Sequence, residues 1–298
     1  MKMSVQAALA EIERLGLPVV PEPLPGTVID SHTHMDVTRD ISGLSVEANL
    51  AAAAAVGVTK CVQIGCDVES SRWAVGATEQ YPQVIACVAI HPNDAARMND
   101  VTLAEALSII DELAARGGKV RGIGETGLDY FRTGSAEGRA QELVSFKAHI
   151  KITLAHGLTL AIHDRDAHAD ILAALDATGL PERIVMHCFS GDVAFAHECL
   201  DRGAWLSFPG VVTYKANQYL RDVLAMTPVE RILVETDAPF LTPNPERGKR
   251  NAPYLVPHTV RFMADQLGLD LSDLCAQLRA NTEAAYGGPW GDDGEARP

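Results

Sequence analysis

The chain has 298 residues, and its 25 Lys and Arg stand against 39 Asp and Glu, a formal net charge of −14 that excludes a basic nucleic-acid coat. With 47% apolar and 21% charged residues it is neither a disordered chain nor a coiled coil. No run of some 18 uncharged apolar residues is present, so no membrane span is expected.

The opening residues from Met1 lead into a segment broken by Glu11, Glu13 and Arg14, which is the wrong composition for a secretory signal. A cytoplasmic location is therefore expected. The six cysteines, at 61, 66, 87, 188, 199 and 275, include no Cys-x-x-Cys pair and read as small buried hydrophobes in a reducing compartment. Residues 5–15 have the spacing of a short helix, and Pro18 to Pro25 then supplies four prolines in eight positions, which no helix or central strand accepts. Residues 1–26 are thus expected to form an N-terminal appendage. From Thr27 short apolar runs alternate with longer amphipathic ones. The short runs, Val28 to Met35, Cys61 to Ile64, Val84 to Ile90, Val120 to Ile123, Thr159 to Ile162, Ile184 to Met186, Ala204 to Phe208 and Arg231 to Val234, give eight strand candidates. Helical spacing falls over 45–56, 69–80, 101–116, 138–156, 167–178, 192–202 and 217–226, with 257–267 and 271–280 after the last strand.

Strict alternation of strand and helix implies right-handed βαβ units on a parallel sheet. Eight such units in about 250 residues suit a closed α/β fold, a single (β/α)8 TIM barrel over 27–286, better than an open doubly wound sheet. The tail from Gly287 reads as frayed.

In such a barrel, chemistry collects where strands end. Strand one ends in His32-Thr-His34, strand four in Glu125, strand five in His163, strand six in His187 and strand eight in Glu235-Thr-Asp237. Alternate strand residues face the same side, so His32 and His34 can chelate together. Any one of these histidines, alone, is more often a hydrogen-bonded structural residue. Six metal-competent groups ending five convergent strands are another matter, because burying unpaired imidazoles and carboxylates there is costly. Metal binding is the expectation, and four nitrogens with two carboxylates suit two ions sharing a bridging carboxylate and water.

Five runs, Asp30-Ser-His-Thr-His34, Gly122-Ile-Gly-Glu-Thr-Gly-Leu-Asp129, His163-Asp-Arg-Asp-Ala167, His187-Cys-Phe-Ser-Gly191 and Glu235-Thr-Asp-Ala-Pro239, followed by Arg247-Gly-Lys-Arg-Asn251, resemble the TatD family of metal-dependent deoxyribonucleases. The resemblance spans Val28 to about Tyr286 in the family's order. It implies that His32, His34 and Asp237 hold one metal, that His163 and His187 hold the other, and that Glu125 bridges them. One segment departs: the family often shows a second histidine after His-Pro, whereas His91-Pro92 is followed by Asn93. That loop is expected to touch substrate more than metal.

Gly122-x-Gly124-x-x-Gly127 matches the dinucleotide fingerprint literally, but no helix is expected to follow it, so no nucleotide cofactor is expected. His149, His156, His197 and His258 fall in helical stretches and are expected outside the site, and Cys188 is expected to pack on the face of its strand opposite His187. The cofactors expected are two divalent ions, Mg, Mn or Zn, with Asp237 as proton acceptor and Glu125 as bridge.

The net charge argues against a tight grip on duplex DNA. Arg247, Lys249 and Arg250 after strand eight, with Arg132 and Arg165 after strands four and five, could still contact phosphates, and Tyr130 and Phe131 could stack a base. The expected partner is DNA at single-stranded or frayed ends, and a monomer is the favoured state. One rival keeps the metals and changes the bond, to a small amide or lactone or a D-aminoacyl-tRNA ester. A metal-stabilised interaction module is the non-enzymatic alternative.

Overall fold

Residues 3–288 are described by a computed structural model. Helix α1 (Val5–Arg14) precedes β1 (Val28–Thr33), α2 (Met35–Ser42), α3 (Val46–Ala55), β2 (Val58–Ile64), α4 (Val68–Gln80), β3 (Val84–Val88), α5 (Pro92–Ala95), α6 (Asp100–Ala114) and β4 (Val120–Asp129). The second half runs α7 (Ala136–His156), β5 (Thr159–Arg165), α8 (His168–Thr178), β6 (Arg183–Met186), α9 (Val193–Asp201), β7 (Trp205–Phe208), α10 (Gln218–Met226), β8 (Ile232–Val234), α11 (Val256–Leu267) and α12 (Leu271–Ala285).

The eight strands pair in parallel and in chain order. A bridge between Thr33 and Ala238 brings the last strand back to the first, so the sheet closes as a (β/α)8 barrel. Inside it lie Ile29, Val62, Ile64, Ile85, Cys87, Val185 and Leu233, all buried, with Tyr286 donating its hydroxyl to the Ser31 carbonyl at 3.2 Å. A larger apolar cluster fills the layer between strands and helices and includes Ala8 and Ile12 of α1. Helix α1 is also tied by Glu11, whose carboxylate accepts from the Ser45 N–H (2.6 Å) and hydroxyl (3.0 Å) at the start of α3. Among the described residues no helix is long and apolar enough to cross a membrane.

Several differences from the sequence reading bear on the site. Strand one stops at Thr33 rather than Met35, because His34 opens α2, a helix of eight residues that ends at Gly43 with φ 77°. Strand four runs six residues past Ile123 to Asp129, through a register shift against β5 between Ile123 and Thr126. All three glycines of the fingerprint therefore lie within a strand. The short α5 at Pro92 is a further addition, as are the last five residues of α12. Of the expected frayed tail only Gly287 and Gly288 are described, and the rest lies outside the described residues.

Candidate metal centre

The strand ends meet at one mouth of the barrel. His32 is the penultimate residue of β1 and His34 caps α2, and their Nε2 atoms come within 3.3 Å of one another. Beneath them Asp30 accepts from the His32 N–H (3.3 Å), the Thr236 N–H (2.9 Å) and the Thr236 hydroxyl (2.6 Å), which ties β1 to the chain leaving β8. Burial pushes Asp30 up to about 7 even so.

Glu125 stands at the centre. Its Oε2 lies 3.4 Å from His32 Nε2 and 3.7 Å from His34 Nε2. Its Oε1 lies 2.6 Å from His163 Nδ1, 3.1 Å from His187 Nε2 and 3.3 Å from His91 Nε2. One oxygen thus faces the histidines around β1, and the other faces those at the ends of β3, β5 and β6. Asp237 completes the ring, with Oδ1 3.4 Å from His34 Nε2 and 3.8 Å from His32 Nε2. Its backbone is left-handed (φ 54°), a conformation that costs a non-glycine residue about 1–2 kcal/mol. Two hydrogen bonds of 2.9 Å hold it there, from the Asp237 N–H to the His32 carbonyl and from the Phe240 N–H to the Asp237 carbonyl.

The charges are mutually supporting. Burial disfavours ionisation of Glu125, but His187, His91 and His163 around it hold its carboxyl well below the usual range. Burial likewise opposes protonation of His163, yet hydrogen bonds to Asp129 and Glu125 raise it to about 9, while Asp129 is held down at about 2.

Does the ring suit a cation? The side chains of His32, His187 and Glu125 are only 1%, 3% and 6% exposed. His32 stacks on His187 at 3.5 Å and turns its Nε2 against that of His34, while His32 Nδ1 and Glu235 Oε2 are buried with no hydrogen-bond partner. Hydrogen bonds alone leave such a cluster incompletely satisfied. Its imidazole and carboxylate donors are those that divalent ions take, and His32, His34 and Glu125, and separately His91, Glu125 and His163, each bring one donor atom within 4.8 Å of the others. The residues fit a metal centre.

The six ligands expected from the sequence come together here. His91, expected among the substrate contacts, stands inside the ring. Three neighbours were missed. Asp129, on His163, was hidden by ending strand four too early. Cys66, read as a buried hydrophobe, is partly exposed, with Sγ 3.8 Å from His34 Nδ1 and 3.9 Å from Glu125 Oε2. Glu235 was noted at a strand end and given no role. Cys188 is a correction: β6 ends at Met186, so Cys188 has no opposite strand face to occupy. It turns through φ 44° and donates its N–H to Glu235 Oε1 at 2.8 Å. His149 and His156 lie elsewhere, bonded to the Ile90 N–H and to Asp111.

The basic residues surround the mouth, on loops except for Arg165, which is the last residue of β5 and does not follow it as the sequence reading had it. Arg132 lies 3.9 Å from Asp129, Arg165 covers the Phe131 ring at 3.9 Å, and Arg247 covers the Tyr214 ring at 4.3 Å. Lys249 pairs with Glu246, and Arg250 is exposed. The next residue, Asn251, donates to the Thr236 carbonyl (2.9 Å) and the Phe240 carbonyl (2.6 Å), which anchors this basic loop on the chain around Asp237.

A sequence model of the family described as TatD related DNase matches residues 29–287. A Mycobacterium tuberculosis protein named as an uncharacterized metal-dependent hydrolase TatD is 38% identical over 266 residues, 88% of this chain and 99% of its own. A Citrobacter rodentium protein named 3'-5' ssDNA/RNA exonuclease TatD is 34% identical over 247 residues, 80% of this chain and 90% of its own. The crystal structure of YJJV, a TatD homolog from Escherichia coli, aligns with a TM-score of 0.80 at 27% identity, covering 88% of this chain and 98% of that one.

Proposed function

The chain belongs to the TatD-related DNase family and is a metal-dependent hydrolase, and from that premise we propose that it cleaves phosphodiester bonds at single-stranded or frayed DNA ends with two divalent ions held across Glu125. The observation that carries this reading is the division of Glu125, one oxygen toward His32 and His34 and the other toward His163 and His187. His32, His34 and Asp237 would hold one ion, and His163 and His187 the other. When bound, such a pair lowers the pKa of a shared water and offsets the charge that builds on a phosphate during displacement.

The chain's own groups do the rest. Asp237 accepts the proton of the attacking water: its carboxyl is held below the usual range, against burial, by His34, His187 and His32, so it is ionised at neutral pH. Its pinned left-handed backbone fixes where that carboxylate points. Phe131, 62% exposed beside Arg165, and Phe240, 50% exposed three residues beyond Asp237, give unpaired bases two rings on which to stack. Arg132, Arg247, Lys249 and Arg250 supply positive charge to the backbone of the strand. The name of the Citrobacter relative supports this substrate class.

The test strips the protein of metal, reloads it with Mn, Mg or Zn, and incubates it with end-labelled single- and double-stranded oligonucleotides. Stepwise shortening of the single strand, with the blunt duplex largely spared, is the expected result. No turnover of either with any metal would transfer the reading to a hydrolase of small amides, lactones or esters.

A further inference from the structure

Behind the two stacked imidazoles lies a second carboxylate, to which the resemblance gave no part. Glu235 immediately follows β8 and is completely buried. Its Oε1 accepts from His187 Nδ1 at 3.1 Å and from the Cys188 N–H at 2.8 Å. Its Oε2 has no partner, and His32 Nδ1 is buried without one as well. One donor atom from each of His32, His187 and Glu235 falls within 4.8 Å of the other two. In front, His32 Nε2 faces one oxygen of Glu125 and His187 Nε2 faces the other. The rings lie 3.5 Å apart at an interplanar angle of 15°, so the pair is sandwiched between two carboxylates.

We propose that Glu235 is a positioning residue for both halves of the centre, accepting the Nδ1–H of His187 directly and that of His32 through a small side-chain adjustment or one bridging water. Each ring then keeps Nε2 as a lone pair directed at the Glu125 side. The physical reason is tautomer control. A ligating imidazole coordinates through one nitrogen only if its proton is held on the other, and a buried carboxylate behind the ring is a strong acceptor for that proton. A fully buried carboxylate with one unsatisfied oxygen is costly, and a donor from His32 relieves that cost. Asp30, the other buried carboxylate beneath the ring, already spends both oxygens on the Thr236 N–H and hydroxyl and the His32 N–H. Because His32 and His187 serve different ions, one residue sets the affinity of both.

This inference rests on reading the ring as a two-ion centre, and the experiment separates the two ideas. Wild type, Glu235→Gln and Glu235→Asp are stripped of metal and titrated with Co(II) against a chromogenic chelator, with the visible Co(II) absorption recorded at each equivalent. Long-range 1H–15N spectra of the histidine rings report their tautomers. Glu235→Gln, nearly isosteric, should bind both equivalents roughly tenfold to a hundredfold more weakly. Its Co(II) spectrum should change, and the Nδ1–H tautomer of His32 and His187 should no longer dominate. Glu235→Asp, which keeps the charge, should recover part of the affinity. A purely structural Glu235 would lower the thermal midpoint of the metal-free protein and leave the affinity of folded protein and the Co(II) spectrum unchanged, and that result overturns the proposal. Wild type that binds no Co(II) overturns the two-ion reading itself.

Discussion

Glu125 and Asp237 share one ring of histidines, and their substitutions should fail differently. Glu125→Ala removes the group that faces His32, His34, His91, His163 and His187, so metal content and hydrolysis should fall together. Asp237→Asn keeps the size and loses the proposed proton acceptor, so the rate should drop roughly a hundredfold to ten-thousandfold at saturating metal while most of the metal stays bound. Metal analysis beside single-turnover rates distinguishes them, and equal rates for wild type and Asp237→Asn would place the acceptor elsewhere. His149 shows the same residue type in a structural part. Its Nε2 accepts from the Ile90 N–H at 3.1 Å and its Nδ1–H donates to the Ser145 carbonyl at 2.8 Å. Burial pushes it down to about 4 from an ordinary 6.5. Between those values the unfolded chain takes up a proton that the folded one refuses, so this contribution is intact above pH 6.5 and is lost as pH falls toward 4, by about 3 kcal/mol. His149→Gln can still accept from Ile90 and should flatten the acid limb of stability in a denaturant series run from pH 7 to pH 4. An unchanged limb would show that other groups set it. In the sequence, only its place inside a helix tells His149 from the ring histidines.

The elements are legible where periodicity is long. Residues 101–116 and 138–156 carry helical spacing, and the chain forms Asp100–Ala114 and Ala136–His156. Legibility fails where a run is short or its residues are chosen by close packing. The eight residues of α2 hold barely two turns, too few to show a period. In β4 the sequence reading ended the strand at Glu125 and left Gly127 beyond it, yet Cβ atoms would run into Cys87 at Gly122, Ala161 at Gly124 and the His163 carbonyl at Gly127. These glycines let neighbouring strands approach in the layer that carries Glu125 and His163. Gly127 also has φ 148° and pairs with His163 in the β4–β5 register. Gly127→Ala should therefore destabilise the fold by more than about 1 kcal/mol and, by displacing His163, weaken metal binding. Gly134→Ala, with open space at its Cβ position, is the control and should cost little. Equal thermal midpoints for the two variants would contradict this view of β4.

Over the whole molecule a net charge of −14 has to be reconciled with the polyanionic substrate proposed. The positive charge that answers it is concentrated in the loop between β8 and α11, anchored by Asn251 on the carbonyls of Thr236 and Phe240. Replacing Arg247, Lys249 and Arg250 together by Gln should raise KM for an oligonucleotide and flatten its salt dependence, by about 0.7 in log–log slope for each phosphate of the single strand that is no longer neutralised. Lys249, paired with Glu246, should matter less than the arginines. Turnover of a small chromogenic phosphodiester should change little, and equal salt slopes on the oligonucleotide would remove the loop from the substrate path. The most direct test of the centre itself is a titration of metal-stripped protein with Mn, following bound metal and the shortening of an end-labelled single strand in the same samples. Turnover should rise with the second equivalent and saturate at two ions per chain. Full turnover at one equivalent, or none at two with Mn, Mg or Zn, would contradict a two-ion centre that cleaves DNA.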